Sequence, residues 1–359
     1  MTPEVPRLPV FDGHNDTLIA LHLPGDEPPR SFFERSDRGH IDLPRALDGG
    51  FAGGLFGIFV PPEPDLHSVL GAGPPPSVSY DLPLPPAIDH HYAKDMTIAV
   101  IADLFRLERE SEGRLKVVRT AEELRRCVDE GVIAAVLHFE GAEAIDERLD
   151  ALPVFYAAGL RSLGIVWSRP NAFATGAPFR FPGSPDTGPG LTDAGNALVR
   201  ACNELGIMLD LAHINERGFW DVAALTDAPL VVSHAGVHAL CPGTRNLTDK
   251  QLDAIGESGG IVGVGFHVGF LRADGGQDPN TPLTEIVRHV DYIARRIGVD
   301  HVGFGSDFDG AVMPLELGDV AGLPRLVDAL RSHGFDEADL RKITHESWLR
   351  VLGETWKES

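Results

Sequence analysis

The sequence predicts an α/β chain folded as a (β/α)8 TIM barrel, with the active site at the C-terminal ends of the strands. Three observations point there. Eight short apolar runs recur along the 359 residues, helical patterns lie between most of them, and ionisable residues gather just after the ends of the runs. The runs span 8–13, 54–60, 132–139, 160–167, 206–212, 229–233, 260–266 and 301–306. They are rich in Val, Ile, Leu and Phe, and several lack strict alternation, as expected of strands buried on both faces. Eight of them favour a closed barrel. A doubly wound sheet carrying an inserted substrate domain is the alternative architecture.

The intervening helices have recognisable faces and ends. Residues 91–109 place Met96, Val100, Leu104 and Leu107 on one side. Residues 191–205 carry Leu198, Val199, Cys202 and Leu205, with Thr192 as the expected N-cap. Residues 248–257 and 282–297 follow the same pattern, with Thr281 expected to cap the second of them just before Pro282. Strand and helix thus alternate from end to end, which is the signature of parallel α/β folds. The chain is expected to form one domain over 1–359, with a Pro-rich insertion at about 61–86. That insertion and a second irregular segment, 178–190, both follow strands. Each reads equally as a surface excursion or as part of the rim of an active site.

Composition narrows the function. The chain is 43% hydrophobic and 23% charged, which is ordinary for a protein with a sizeable core. With 31 Lys and Arg against 53 Asp and Glu, the net charge is −22, which argues against nucleic acid or an anionic membrane as a partner. Cys127, Cys202 and Cys241 are far apart and show no CxxC spacing, so a reducing, cytoplasmic setting is expected. No signal peptide and no membrane-spanning helix are expected either.

The chemistry resides at the strand ends. The first run leads into Asp12-Gly13-His14-Asn15-Asp16, the third into His138-Phe139-Glu140-Gly141, and the fifth into Leu211-Ala212-His213. The sixth ends in Ser233-His234, and the eighth in Gly305-Ser306-Asp307-Phe308-Asp309. In a parallel barrel these ends share one rim, so His14, Asp16, Glu140, His213, His234 and Asp307 would meet in one mouth. Three imidazoles and three carboxylates suit a borderline cation such as zinc. His14 and Asp16, two apart in extended chain, can face one ion. Glu140 can offer one oxygen to each of two ions, and His213 with His234 can complete the second. Singly, each residue has a plainer reading: a salt-bridged loop for His14 and Asp16, a solvated carboxylate or cap for Glu140, and structural histidines for the other two. Their joint occurrence at successive strand ends favours a metal site. Asp307 reads either as a cap in its turn or as the acid–base group, and Arg245 either as a surface ion pair or as a two-pronged grip on a substrate carboxylate. His22, His40, His67, His90, His91 and His333 read as surface residues.

These strings resemble the membrane (renal) dipeptidases, the M19 metallopeptidases among the amidohydrolase-type barrels. The match is carried by Asp12-Gly13-His14-Asn15-Asp16, Glu140-Gly141, Asp210-Leu211-Ala212-His213, Ser233-His234, Arg245-Asn246 and Gly303-Phe304-Gly305-Ser306-Asp307-Phe308-Asp309-Gly310. The resemblance implies a hydrolase with two Zn2+ per chain that cleaves dipeptides, often with a D-residue on the C-terminal side, by attack of a metal-bridging hydroxide. It implies that His14 and Asp16 bind one zinc, Glu140 bridges, and His213 and His234 bind the other. Asp307 would be the acid–base group and would contact the substrate, while Arg245 would hold the dipeptide's free carboxylate. A homodimer is also expected from the resemblance. Three departures stand out. Trp167 occupies the place of a family His, Glu140-Gly141-Ala142-Glu143 replaces Glu-Gly-Gly-His, and His267 replaces a Tyr. Trp167, Arg169 or Asn171 could take over from the missing His. The altered substrate shell leaves open another small carboxylate-bearing amide, such as an N-acyl amino acid or a lactam. A non-catalytic barrel that only binds a ligand is the remaining alternative.

Overall fold

Buried on both faces, the apolar runs have nowhere to satisfy their backbone except in neighbouring strands, and they close on themselves. The computed structural model describes residues 7–25, 28–62 and 79–357. Its eight barrel strands are β1 (Val10–Asn15), β2 (Phe51–Ile58), β3 (Ile133–Glu140), β4 (Leu160–Gly164), β5 (Met208–Asp210), β6 (Val231–Ala235), β7 (Ile261–Val264) and β8 (Val302–Phe304). All pair in parallel and in chain order, and β1 meets β8 at Asp12 and Phe304 to complete the ring. This is the expected (β/α)8 barrel. A short strand, Leu115–Val117, adds to the first half of the β3 edge, and β4 takes the second half.

The expected helices are present with shifted ends. Residues His90–Glu110, Asp193–Leu205, Asp249–Glu257 and Thr284–Ile297 are helical. Thr192 caps its helix by accepting from the Gly195 N–H. Thr281 does not cap the helix that follows it. The N-cap there is Leu283, and the Thr281 hydroxyl turns back to the Asp278 carbonyl at 2.6 Å. The side chain bonds within its own turn, the local arrangement that competes with capping for a Thr hydroxyl. Among the described residues no helix is long and apolar enough to cross a membrane.

Two apolar layers hold the barrel. The larger lies between the strands and the outer helices. In the smaller, Phe11, Leu55, Val136, Met208, Val231 and Ile261, from six strands, pack with Trp348, Val351 and Leu352 of the C-terminal helix Ser347–Thr355. Trp348 is fully buried and donates its indole N–H to the Phe304 carbonyl at 3.0 Å. Each such side chain contributes about 1.5–3 kcal/mol by leaving water. This helix closes the bottom of the barrel, and the strands' other ends remain for the site.

The two segments that interrupt the alternation meet at the rim. Tyr80–Asp81 pairs antiparallel with Arg180–Phe181, and Arg180 Nε lies 2.8 Å from the Asp81 carboxylate. Residues 63–78 of the Pro-rich insertion lie outside the described residues.

Just below the mouth the strands approach closely. A Cβ on Gly263 or on Gly305 would collide with the Ser233 carbonyl, which is backbone and cannot swing aside. Gly263→Ala is therefore expected to cost about 1–3 kcal/mol, read as a lower urea midpoint at unchanged slope.

Candidate metal centre

Each strand end delivers its ionisable residue to the same cup. β1 carries His14, with Asp16 just beyond it, and β3 ends on Glu140. His213 follows β5, His234 lies within β6, and Asp307 follows β8. The β1 and β8 exits are stitched together, since Asp307 N–H donates to the His14 carbonyl and Asp16 N–H to the Phe308 carbonyl. His213, Asp307 and Asp309 all have left-handed backbone, with φ of 64°, 62° and 68°. Such conformations cost energy in non-glycine residues and concentrate at functional sites. Here they turn the chain sharply, so that side chains leaving different strands converge.

The distances define two cradles that share one carboxylate. Glu140 Oε2 lies 3.6 Å from His14 Nε2, which is itself 3.5 Å from Asp16 Oδ2. Glu140 Oε1 lies 2.9 Å from His213 Nε2 and 3.7 Å from His234 Nε2. One potential donor atom from each of His14, Asp16 and Glu140 lies within 4.8 Å of the other two. The same holds for Glu140, His213 and His234, and for His14, His234 and Asp307. All of the metal-ligating residues expected from sequence are therefore brought together, with Asp307 beside them.

Electrostatics and hydrogen bonding fit this donor set to a divalent cation. Both ring nitrogens of His14 and Oδ1 of Asp16 are buried without a hydrogen-bond partner. Groups so placed cost about 1–3 kcal/mol each unless something compensates them, and a cation does so for acceptors. Burial drives His213 and His234 well below the usual histidine range, with Arg245 and His14 adding to the effect, so both are the neutral imidazoles that bind metals. Burial opposes charge on His14 too, but Glu140 and Asp16 outweigh it and hold the ring up at about 10. Burial also pushes Glu140 well above the carboxylate range, and Asp16 and Asp307 push the same way. Asp307 is raised to about 7, by burial first and then by Asp16. A cluster that holds its acids this uncomfortably attracts positive charge.

Around the cup lies an arc of rings. Trp167 sits 5.8 Å from the His213 ring, 4.9 Å from Phe59 and 5.6 Å from Phe179. Arg245 is buried over Phe270, its Nη2 3.1 Å from His234 Nε2, and burial lowers it to about 10, which leaves it charged. Its functional reading fits this placement, while a surface ion pair does not. His267 stacks edge-on against Phe270 at 4.5 Å. Both neighbours that the sequence offered in place of the family His already hold other partners. Arg169 gives Nε to Glu143 at 2.8 Å and Nη2 to the Val60 carbonyl, and Asn171 donates to the Ile165 carbonyl.

Some participants escaped the sequence reading. His138 is fully buried, 2.8 Å from Ser162 Oγ and 3.5 Å from Asp210, with its ring 5.5 Å from His14. Its spacing two before Glu140 was the available signal. His40, read from sequence as a surface residue, instead secures the turn after β8. Its N–H donates to Asp309 Oδ1 and its Nδ1 accepts from the Asp309 N–H. Only the fold could reveal that contact, because 269 residues separate the pair. His67 lies outside the described residues.

Comparison with known proteins agrees with this geometry. The family model described as membrane dipeptidase, peptidase family M19, matches residues 5–359. A metallopeptidase from Rhodobacter sphaeroides, solved with a phosphinate mimic of the dipeptide L-Ala-D-Ala, is 50% identical with a TM-score of 0.91. That match covers 98% of this chain and all of the other. A solved M19 metallopeptidase described as dipeptidase AC is also 50% identical, with a TM-score of 0.90 over 97% of this chain and 99% of its own. A dipeptidase of Claviceps purpurea, tcpJ, is 27% identical over 96% of this chain and 76% of its own length. With barrel, cup and end-to-end sequence match in accord, the chain belongs to the membrane dipeptidase family, peptidase family M19, and is a metal-dependent dipeptidase.

Proposed function

We propose that the protein is a dinuclear zinc dipeptidase, with 1–359 acting as one catalytic domain. The observation that carries this reading is Glu140, whose two oxygens face different imidazoles. In this reading His14, Asp16 and Glu140 hold one zinc, and Glu140, His213 and His234 hold the other. Two zinc ions held there would supply an activated water and polarise the scissile carbonyl.

The chain's own groups do the rest. Asp307 is in reach of both cradles and carries a proton readily near neutral pH, which suits a group that takes a proton from the attacking water and returns it to the leaving amine nitrogen. Arg245 is charged, desolvated and has a buried Nε without a partner, so a dipeptide's terminal carboxylate would find a two-pronged donor. The rings of Trp167 and Phe179 beside His213 help to exclude water from the reacting carbonyl. The bound mimic in the Rhodobacter sphaeroides relative supports an L-Xaa-D-Xaa dipeptide as substrate.

Removing metal with a chelator is expected to abolish dipeptide hydrolysis. Readdition of zinc should restore it at two ions per wild-type chain, and Glu140→Ala should lower occupancy of both sites, as counted by elemental analysis. Asp307→Asn is expected to keep near-normal zinc while kcat falls by about 10²–10⁴-fold. Loss of metal in that variant would move Asp307 into the ligand set. Arg245→Ala should raise KM steeply for dipeptides with a free carboxylate and leave their C-terminal amides unaffected. Equal effects on both in steady-state assays would remove Arg245 from carboxylate recognition.

A further inference from the structure

Beneath the cup, β5 and β6 are joined by a polar clamp. Asp210 Oδ1 accepts from the Ser233 N–H at 2.7 Å and from the Ala212 N–H at 3.0 Å, and Oδ2 accepts the Ser233 hydroxyl at 2.6 Å. Ser233 Oγ also lies 2.9 Å from His234 Nδ1. All four residues are buried.

The directions of these bonds follow from the chemistry of the groups. A carboxylate only accepts, so the single Ser233 hydroxyl proton goes to Asp210. Ser233 Oγ can then only accept from His234, which requires the His234 proton on Nδ1. The opposite side of the ring gives the same answer independently. Arg245 Nη2, which can only donate, lies 3.1 Å from His234 Nε2, a contact that needs the lone pair on that nitrogen, and His213 Nε2 faces the same nitrogen at 2.9 Å. A second Asp–Ser clamp provides a contrast. Asp12 holds Ser306 through the same N–H and O–H pair, but Ser306 Oγ accepts from the Phe308 N–H, so that clamp shapes the Asp307 turn and orients no imidazole.

We propose that Asp210 and Ser233 are positioning residues of the dipeptidase, which fix the His234 proton on Nδ1 and aim its Nε2 into the cradle with Glu140 and His213. This rests on the reading above that His234 is a zinc ligand. Partners of this kind orient the ring, and their loss usually weakens metal binding about 10–100-fold.

The test is zinc affinity of metal-free protein, measured by competition with a chromophoric chelator. Ser233→Ala is expected to weaken binding about 10–100-fold, and Ser233→Thr, which keeps the hydroxyl, to recover most of it. Long-range 1H–15N spectra of histidine-labelled wild-type protein, with the His234 ring assigned by its loss in His234→Gln, should show Nδ1 protonated. A ring protonated on Nε2 overturns the proposal even if neither serine variant folds, as does a folded Ser233→Ala protein with wild-type zinc affinity. If His234→Gln itself leaves zinc affinity unchanged, the ligand assignment fails instead, and the positioning role falls with it.

Discussion

The shared carboxylate of Glu140 is the constraint around which the molecule is arranged. A buried acid with an imidazole at each oxygen makes sense only if positive charge is brought to it, and the barrel supplies the means. Its strands run in parallel, so their C-terminal ends all deliver side chains to one place. The floor, closed by Trp348 and the C-terminal helix, carries the apolar burial that offsets an expensive polar mouth. Fold stability and site chemistry are thus assigned to opposite ends of the same strands, as is usual in this architecture.

What holds the mouth in shape is a set of short polar connections between neighbouring strands. Asp12 with Ser306 ties β1 to β8, and Asp210 with Ser233 ties β5 to β6. These ties and the left-handed turns at His213 and Asp307 act together, the first fixing strand ends and the second redirecting the chain above them. Close approach of the backbones around the Ser233 carbonyl leaves little room for either to shift.

Much of this was legible in the sequence. The barrel could be read from eight apolar runs, and the cup from the ionisable residues that terminate five of them. Those positions are informative because a charge directly after a buried run has few structural excuses. His138 was harder to see, since it lies inside its run and resembles a core residue. Asp210 and Ser233 are small polar residues with many possible roles, and only three-dimensional pairing tells which one applies. Strand ends shifted by a few residues, and the Thr281 hydroxyl bonds to a carbonyl of its own turn without capping the helix. The contact of His40 with Asp309 and the pairing of 80–81 with 180–181 join distant parts of the chain, so no local pattern announces them.

The sealed floor has a consequence for traffic. Packed with side chains and closed below by Trp348, the barrel offers no passage through it, so the incoming dipeptide and both departing amino acids must use the same doorway. The antiparallel ribbon of Tyr80–Asp81 and Arg180–Phe181 stands at the lip of that doorway. Turnover therefore includes a queue, in which two products must clear a single exit before the next guest can enter.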